Sequence, residues 1–243
     1  MNANLIEIFS SIQGDGLYVG CRQVFVRFEG CNLNCRYCDT ENETGKHLVL
    51  QAETSAGSRK FREIANPVNP QLVAEIIEEY MRETPHHSIS LTGGEPLLHA
   101  DFIRELSKLV NIPIFLETNG SLPNELEKVL DVVDIISMDI KMPQAIEREI
   151  WTKHKKFLQI AKDKDMYVKL VIPGDLVLYD FQRAVDIVAE VDPNILMVLQ
   201  PVTPMNNVPP TKPEMMLQLQ KLAMQKLHDV RVIPQTHRMM NQL

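Results

Sequence analysis

Short apolar runs alternate with amphipathic stretches along this chain. The runs Val24–Phe28, Ser88–Leu91, Ile114–Glu117, Ile135–Met138, Tyr167–Ile172 and Leu196–Leu199 are apolar-rich, and several carry β-branched residues. That is the pattern of parallel strands buried on both faces. Between them, apolar residues recur at helical spacing. In Pro70–Arg82 these are Leu72, Val73, Ile76, Ile77, Tyr80 and Met81, with Asn69 placed as N-cap and Pro70 at the first helical position. Asp101–Val110, Pro123–Leu130, Leu178–Val191 and Pro213–Leu227 read the same way. About six repetitions of strand and helix predict successive right-handed βαβ units. With no break in composition, residues 1–243 read as a single α/β domain, a partial (β/α)6-type barrel. A doubly wound open sheet is the alternative that pattern alone does not separate.

The unusual residues fall just after the strands. Thr92-Gly93-Gly94-Glu95-Pro96 follows one, Thr118-Asn119-Gly120 the next, Asp139-Ile140-Lys141 the next, and Gln200-Pro201 the last. Function collects at the carboxyl ends of barrel strands, so this polar, Gly-rich mouth is where a cofactor is expected. Residues 41–68 interrupt the pattern. They are polar and punctuated by Gly around a brief apolar run, and read as an inserted loop or small hairpin.

Composition narrows the classes. Hydrophobic residues make up 44% and charged residues 23%, enough for a sizeable core. With 25 Lys+Arg against 32 Asp+Glu, the formal charge is −7, which argues against general nucleic-acid binding. The locally basic Lys153-His154-Lys155-Lys156 reads as a solvated helix face. No run reaches the ~20 apolar residues of a membrane span. The first residues lack a basic segment followed by an apolar one. A cytoplasmic protein without a membrane partner is expected.

There are four cysteines: Cys21, Cys31, Cys35 and Cys38. The last three form a C-x3-C-x2-C array just after a strand and Gly30. That density suits metal ligation in a reducing compartment rather than a disulfide framework. Three thiolates on one loop can hold an iron–sulfur cubane and leave one iron without a protein donor, the open position a catalytic metal needs. A zinc site built from all four cysteines is the competing reading, although Cys21 lies ten residues before Cys31 with a strand between them.

The cysteine array, followed in order by Gly93-Gly94-Glu95-Pro96, resembles the signature of the radical S-adenosylmethionine superfamily. Within it, several segments resemble the 7-carboxy-7-deazaguanine synthase family. These are Phe9–Gly16 with its Ile12-Gln13-Gly14, Phe25–Phe28, Cys38-Asp39-Thr40, Ser137–Lys141, Gln200-Pro201-Val202 and Pro234–His237. Asp15 stands where that family usually has Glu.

The resemblance implies the barrel fold of that superfamily and a lyase. Its cofactors would be a 4Fe–4S cluster on Cys31, Cys35 and Cys38, S-adenosylmethionine, and magnesium on Thr40. Cleavage of S-adenosylmethionine would start conversion of 6-carboxy-5,6,7,8-tetrahydropterin to 7-carboxy-7-deazaguanine, with loss of ammonia, for queuosine-type 7-deazapurine synthesis. S-adenosylmethionine contacts would fall on Tyr37, Cys38, Asp39, Gly94, Ser137, Met138, Asp139 and Gln200. Substrate contacts would fall on Ile12, Gln13, Gly14, Arg27 and Thr92, with Gln235 and His237 close by. The Gly pair suits close backbone approach, and Glu95 would place negative charge beside the cofactor's amino group. An external electron donor and a homodimer are implied as well. Two alternatives stay open: a glycyl-radical activating enzyme, which shares the cysteine spacing, and a zinc-stabilised binding module.

Overall fold

The structure is a computed structural model, and it describes residues 1–38, 40, 44–204 and 207–242. Among the described residues ten strands form one sheet: β1 Leu5–Ile12, β2 Arg22–Phe28, β3 Val49–Glu53, β4 Phe61–Ala65, β5 Ser88–Gly93, β6 Ile114–Thr118, β7 Ile135–Asp139, β8 Asp165–Ile172, β9 Leu196–Pro201 and β10 Val230–Val232. Their order is β10-β9-β8-β7-β6-β5-β2-β1-β3-β4. The six expected strands are β2 and β5 to β9, which pair in parallel and in sequence order. The ends of the sheet do not pair with each other, so the barrel is partial.

The α-helices among the described residues are, in chain order, α1 Pro70–Glu83, α2 Ala100–Ser107, α3 Pro123–Val129, α4 Pro143–Ile146, α5 Trp151–Ala161, α6 Leu178–Val191, α7 Pro213–Ala223 and α8 Thr236–Met239. Asn69 caps α1 by accepting from the Leu72 N–H at 2.9 Å. Of the two readings of the insertion, a loop or a small hairpin, the structure has the hairpin, β3 against β4, added to the sheet through β1. Sequence pattern missed β1, whose Ser10-Ser11 breaks the apolar run, and α5, whose lysines mask its buried face. Within α5, Lys153 and Lys156 face outward. His154 does not: it is fully buried. The solvated-face reading of that stretch is corrected at this residue.

The strands sort their side chains by period two. Val24, Val26, Ile89, Leu91, Leu116, Ile136, Met138, Val168, Leu170, Met197 and Leu199 point outward into the main core beneath the helices. The inward residues change character along each strand. Phe115, Ile135, Tyr167, Leu196 and Val198 form a small apolar cluster. Beyond it, toward the carboxyl ends, come Arg27, Thr92, Glu117, Asp139, Lys169 and Gln200, all lining one cavity. An apolar cluster therefore backs the polar mouth of the barrel.

Candidate active site

The cavity, of about 230 Å³, gathers most of the sequence-predicted residues. Cys31, Cys35 and Cys38 line it from the loop after β2, together with Tyr37 and Thr40. Ile12, Gln13 and Gly14 reach it from the end of β1 and the loop after it; Arg27, Thr92, Gly94, Ser137, Asp139 and Gln200 reach it from strand ends or the loops after them. Gln235 and His237 close it from the C-terminal segment. Asp39 lies outside the described residues. Met138 does not line the cavity: its side chain packs in the outer core, leaving only its backbone at the strand end.

The cysteine loop is held from several sides. Leu33, Tyr37, Ile146, Ile150, Val171 and Val202 form an apolar cluster against which Cys31 and Cys35 pack. The Leu33 N–H donates to Cys31 Sγ at 3.4 Å, and Asn119 Nδ2 donates to the same sulfur at 3.8 Å and to Asn32 Oδ1 at 3.0 Å. Burial pushes the Cys35 thiol up to about 11 and raises that of Cys31 as well, with the Lys141 charge opposing both.

The Gly93-Gly94-Glu95-Pro96 segment braces this loop. Gly93 has φ +115°, and a Cβ on Gly94 would fall 1.8 Å from the Gly30 carbonyl oxygen. Only a bare backbone passes there. Glu95 departs from expectation. It is fully buried and does not line the cavity. Its carboxylate accepts from the Leu97 N–H at 3.1 Å, Thr118 Oγ1 at 2.8 Å and the Asn119 N–H at 2.8 Å, tying the two strand-end loops together. Burial pushes it up to about 7 against those bonds. The reading of Glu95 as a charge beside the cofactor is corrected to a brace.

Sequence reasoning missed Glu117 and Lys169. Lys169 Nζ pairs with Asp15 Oδ2 at 2.9 Å and lies 3.7 Å from Asp139 Oδ2, which Lys141 also holds at 2.9 Å. Burial lowers Lys169, but Asp15 and Asp139 more than offset it and hold the ammonium well above the usual lysine range. Lys141 is held likewise by Asp139 and lies over the Tyr37 ring. Arg27 gives its Nε to Glu7 at 2.7 Å, which aims the guanidinium along the cavity wall. The Gln13 side chain is spent internally, on Gln23, Glu117 and the Gly14 and Asp15 amides.

The residues fit an iron–sulfur cluster with a polar cofactor beside it. Asp139 Oδ1 and Gln200 Oε1 are buried acceptors at the cavity with no partner among the described residues. No three Cys, His, Asp or Glu side chains among the described residues converge as a single metal ion requires, whereas a cubane takes each thiolate on a different iron. Cys21 precedes β2 and does not line the cavity. No disulfide joins the cysteines.

Residues 25–180 match the Radical SAM superfamily. A 7-carboxy-7-deazaguanine synthase of Geobacter sulfurreducens is 43% identical over 246 aligned residues, covering 99% of this chain and 98% of the relative. The chain belongs to the 7-carboxy-7-deazaguanine synthase family. Another synthase of that name, from Archaeoglobus fulgidus, is 38% identical and covers 98% of both chains. The crystal structure of QueE from Escherichia coli superposes with a TM-score of 0.61 at 17% identity, over 98% of this chain and 95% of that one, which shows the shared fold. Family membership makes this chain a radical S-adenosylmethionine lyase with a 4Fe–4S cluster and S-adenosylmethionine as cofactors. It disfavours the activating-enzyme and zinc-module readings. Among the described residues no helix is long and apolar enough to cross a membrane.

Proposed function

We propose that this chain converts 6-carboxy-5,6,7,8-tetrahydropterin to 7-carboxy-7-deazaguanine, the ring contracting as one ammonia leaves, for 7-deazapurine (queuosine-type) synthesis. The observation that carries the reading is a shared cavity: the three thiols of the cysteine loop and the 12–14 loop line the same space. When bound, the cluster and S-adenosylmethionine would supply the radical chemistry that starts the reaction, with Cys31, Cys35 and Cys38 as the residues that would hold the cluster.

The chain's own residues do the rest. Cys31, Cys35 and Cys38 hold the cluster, and Leu33, Tyr37 and Val202 keep water from it. The Gly94 backbone, Asp139 Oδ1 and Gln200 Oε1 offer acceptors to amino and hydroxyl groups of S-adenosylmethionine, while Ser137 and the Met138 backbone border the same end. Arg27, oriented by Glu7, offers its fork to the substrate carboxylate. Ile12, Gln13 and Gly14 present backbone groups to the flat ring, and Thr92 lies across β2–β5 from Arg27. Thr40 supplies a neutral oxygen to a hydrated magnesium ion shared with the substrate. We extend the reading to a cytoplasmic homodimer served by an external electron donor, on the strength of the family resemblance.

Anaerobically reconstituted protein, given S-adenosylmethionine, a reductant and the carboxypterin, is expected to form a deazaguanine and ammonia. Deoxyadenosine without any deazapurine would overturn the reaction proposed.

A further inference from the structure

One side chain at the end of β6 reaches the cysteine loop. Asn119, the first residue after that strand, is buried and lines the cavity, as Cys31 does. Its Oδ1 accepts from the Ser121 N–H at 2.9 Å. Only an oxygen can take that bond, so the amide has one orientation and its NH2 group faces the cysteine loop. One of the two hydrogens goes to Asn32 Oδ1 at 3.0 Å, and the other is left for Cys31 Sγ at 3.8 Å. Asn32 is pinned in turn by donating to Ser121 Oγ at 2.8 Å.

The main chain of Asn119 is fixed as firmly. Its N–H donates to Glu95 Oε2 at 2.8 Å, and its carbonyl oxygen accepts from His154 Nε2 at 3.1 Å. A carbonyl can only accept, so Nε2 carries the hydrogen. Glu95 and His154 are both fully buried. Gly120 then turns the chain at φ +67°, and a Cβ there would fall 2.4 Å from Met138 Cε. Every polar atom of Asn119 is thus spent, and one N–H stays aimed at a sulfur.

An electron added to an iron–sulfur cluster spreads negative charge onto its sulfurs. A donor at a ligand sulfur therefore stabilises the reduced cluster more than the oxidised one and raises its potential. The Leu33 N–H also reaches Cys31 Sγ, at 3.4 Å, but that donor is backbone of the cysteine loop itself. Asn119 comes from another strand end. We propose that Asn119 is a positioning residue for electron entry, its Nδ2–H acting through Cys31 to make the cluster easier to reduce. The step is a one-electron reduction by an external low-potential reductant, with no bond made or broken. The carboxypterin plays no part in it; only the cluster that the family carries is needed.

The test is a potentiometric titration of the anaerobically reconstituted protein with dithionite, the reduced cluster being followed by electron paramagnetic resonance. Neither S-adenosylmethionine nor pterin is added. In Asn119→Ala the ratio of reduced to oxidised cluster at a fixed potential is expected to fall roughly three- to tenfold, the range of one hydrogen bond. For one electron that is a midpoint about 30–60 mV more negative. Asn119→Asp keeps the shape but puts an acceptor where the donor was, and is expected to shift the same way at least as far. Ser121→Ala breaks the bond from Asn32 but leaves the Ser121 N–H on Oδ1, and is expected to keep the wild-type midpoint. Three results would overturn the assignment: a midpoint unchanged or raised in both Asn119 variants, an equal fall in Ser121→Ala, or neither Asn119 variant holding iron and sulfide, as loss of a mere strut would give. With no substrate present, failure of the product assay leaves this result untouched. An unchanged midpoint in an enzyme that makes deazaguanine defeats only the role of Asn119.

Discussion

Lys169 Nζ lies 2.9 Å from Asp15 Oδ2 and 3.7 Å from Asp139 Oδ2, so one ammonium joins the loop after β1 to the end of β7. Both elements line the cavity, and on the reaction proposed above the first borders its substrate end and the second its cofactor end. Both Lys169 and Asp15 side chains are only 10% exposed, so neither can be lost without stranding its partner. Lys169→Met is expected to cost about 3–5 kcal/mol, the usual result of breaking a buried pair from one side. Urea denaturation of the apoprotein measures it. Adding Asp15→Asn should recover much of the loss, and a single variant as stable as wild type would show the pair to be immaterial.

Arg27 is paired through Nε with Glu7, which leaves its terminal fork as the group proposed to take the substrate carboxylate. Arg27→Lys keeps the charge but loses the planar bidentate geometry. KM for the carboxypterin is expected to rise roughly 10- to 100-fold, the cost of a lost charge-assisted bond, while S-adenosylmethionine affinity stays level. A parallel fall in both affinities would assign Arg27 to the fold instead.

His154 gives acid sensitivity near the site. It is fully buried, and Nε2 lies 3.1 Å from the Asn119 carbonyl oxygen, behind the residue that reaches Cys31. Burial lowers it from 6.5 to about 4. A depressed histidine contributes stability above its unfolded value, which drains away as pH falls through the folded one. Between pH 7 and 4 the wild type should therefore lose about 3 kcal/mol more than His154→Asn. Denaturant titrations at pH 4, 5.5 and 7 check this, and parallel curves for the two proteins would refute it.

Glu29 acts at lower pH with the same sign. Burial alone would raise it, but bonds from the His47 and Gly45 amides, Asn4 and the His47 ring outweigh that and lower it to about 2. Its contribution is present above the unfolded value near 4.5 and is lost as pH falls toward 2. Because Glu29 ties residues 45–47 to the strand end before Cys31, Glu29→Gln should leave less dependence of stability on pH between 5 and 2, read by circular dichroism. A slope equal to the wild type's would count against it.

The parallel strands were legible because each is a short apolar run, and the cysteine loop because ligand spacing is local. β1 was not, since its Ser10 and Ser11 are buried polar residues of a strand paired with β2. Glu117 and Lys169 were missed for a related reason. A single charged residue in Ile114–Thr118 or Asp165–Ile172 looks like noise in an apolar run until the barrel turns alternate residues inward. The signal was present as parity: 167, 169 and 171 share one face, and 168, 170 and 172 the other. Glu95 misled in the opposite direction, because a motif gives the residue but not which way its carboxylate turns.

The most direct test of the account is the iron itself. Anaerobically reconstituted protein should carry about four irons and four sulfides, and its reduced electron paramagnetic resonance signal should shift when S-adenosylmethionine is added. Cys21→Ser should leave that spectrum intact, and Cys35→Ser should abolish it. Stoichiometric zinc without iron, a signal indifferent to S-adenosylmethionine, or equal loss in both variants would contradict a three-thiolate cluster with one open iron.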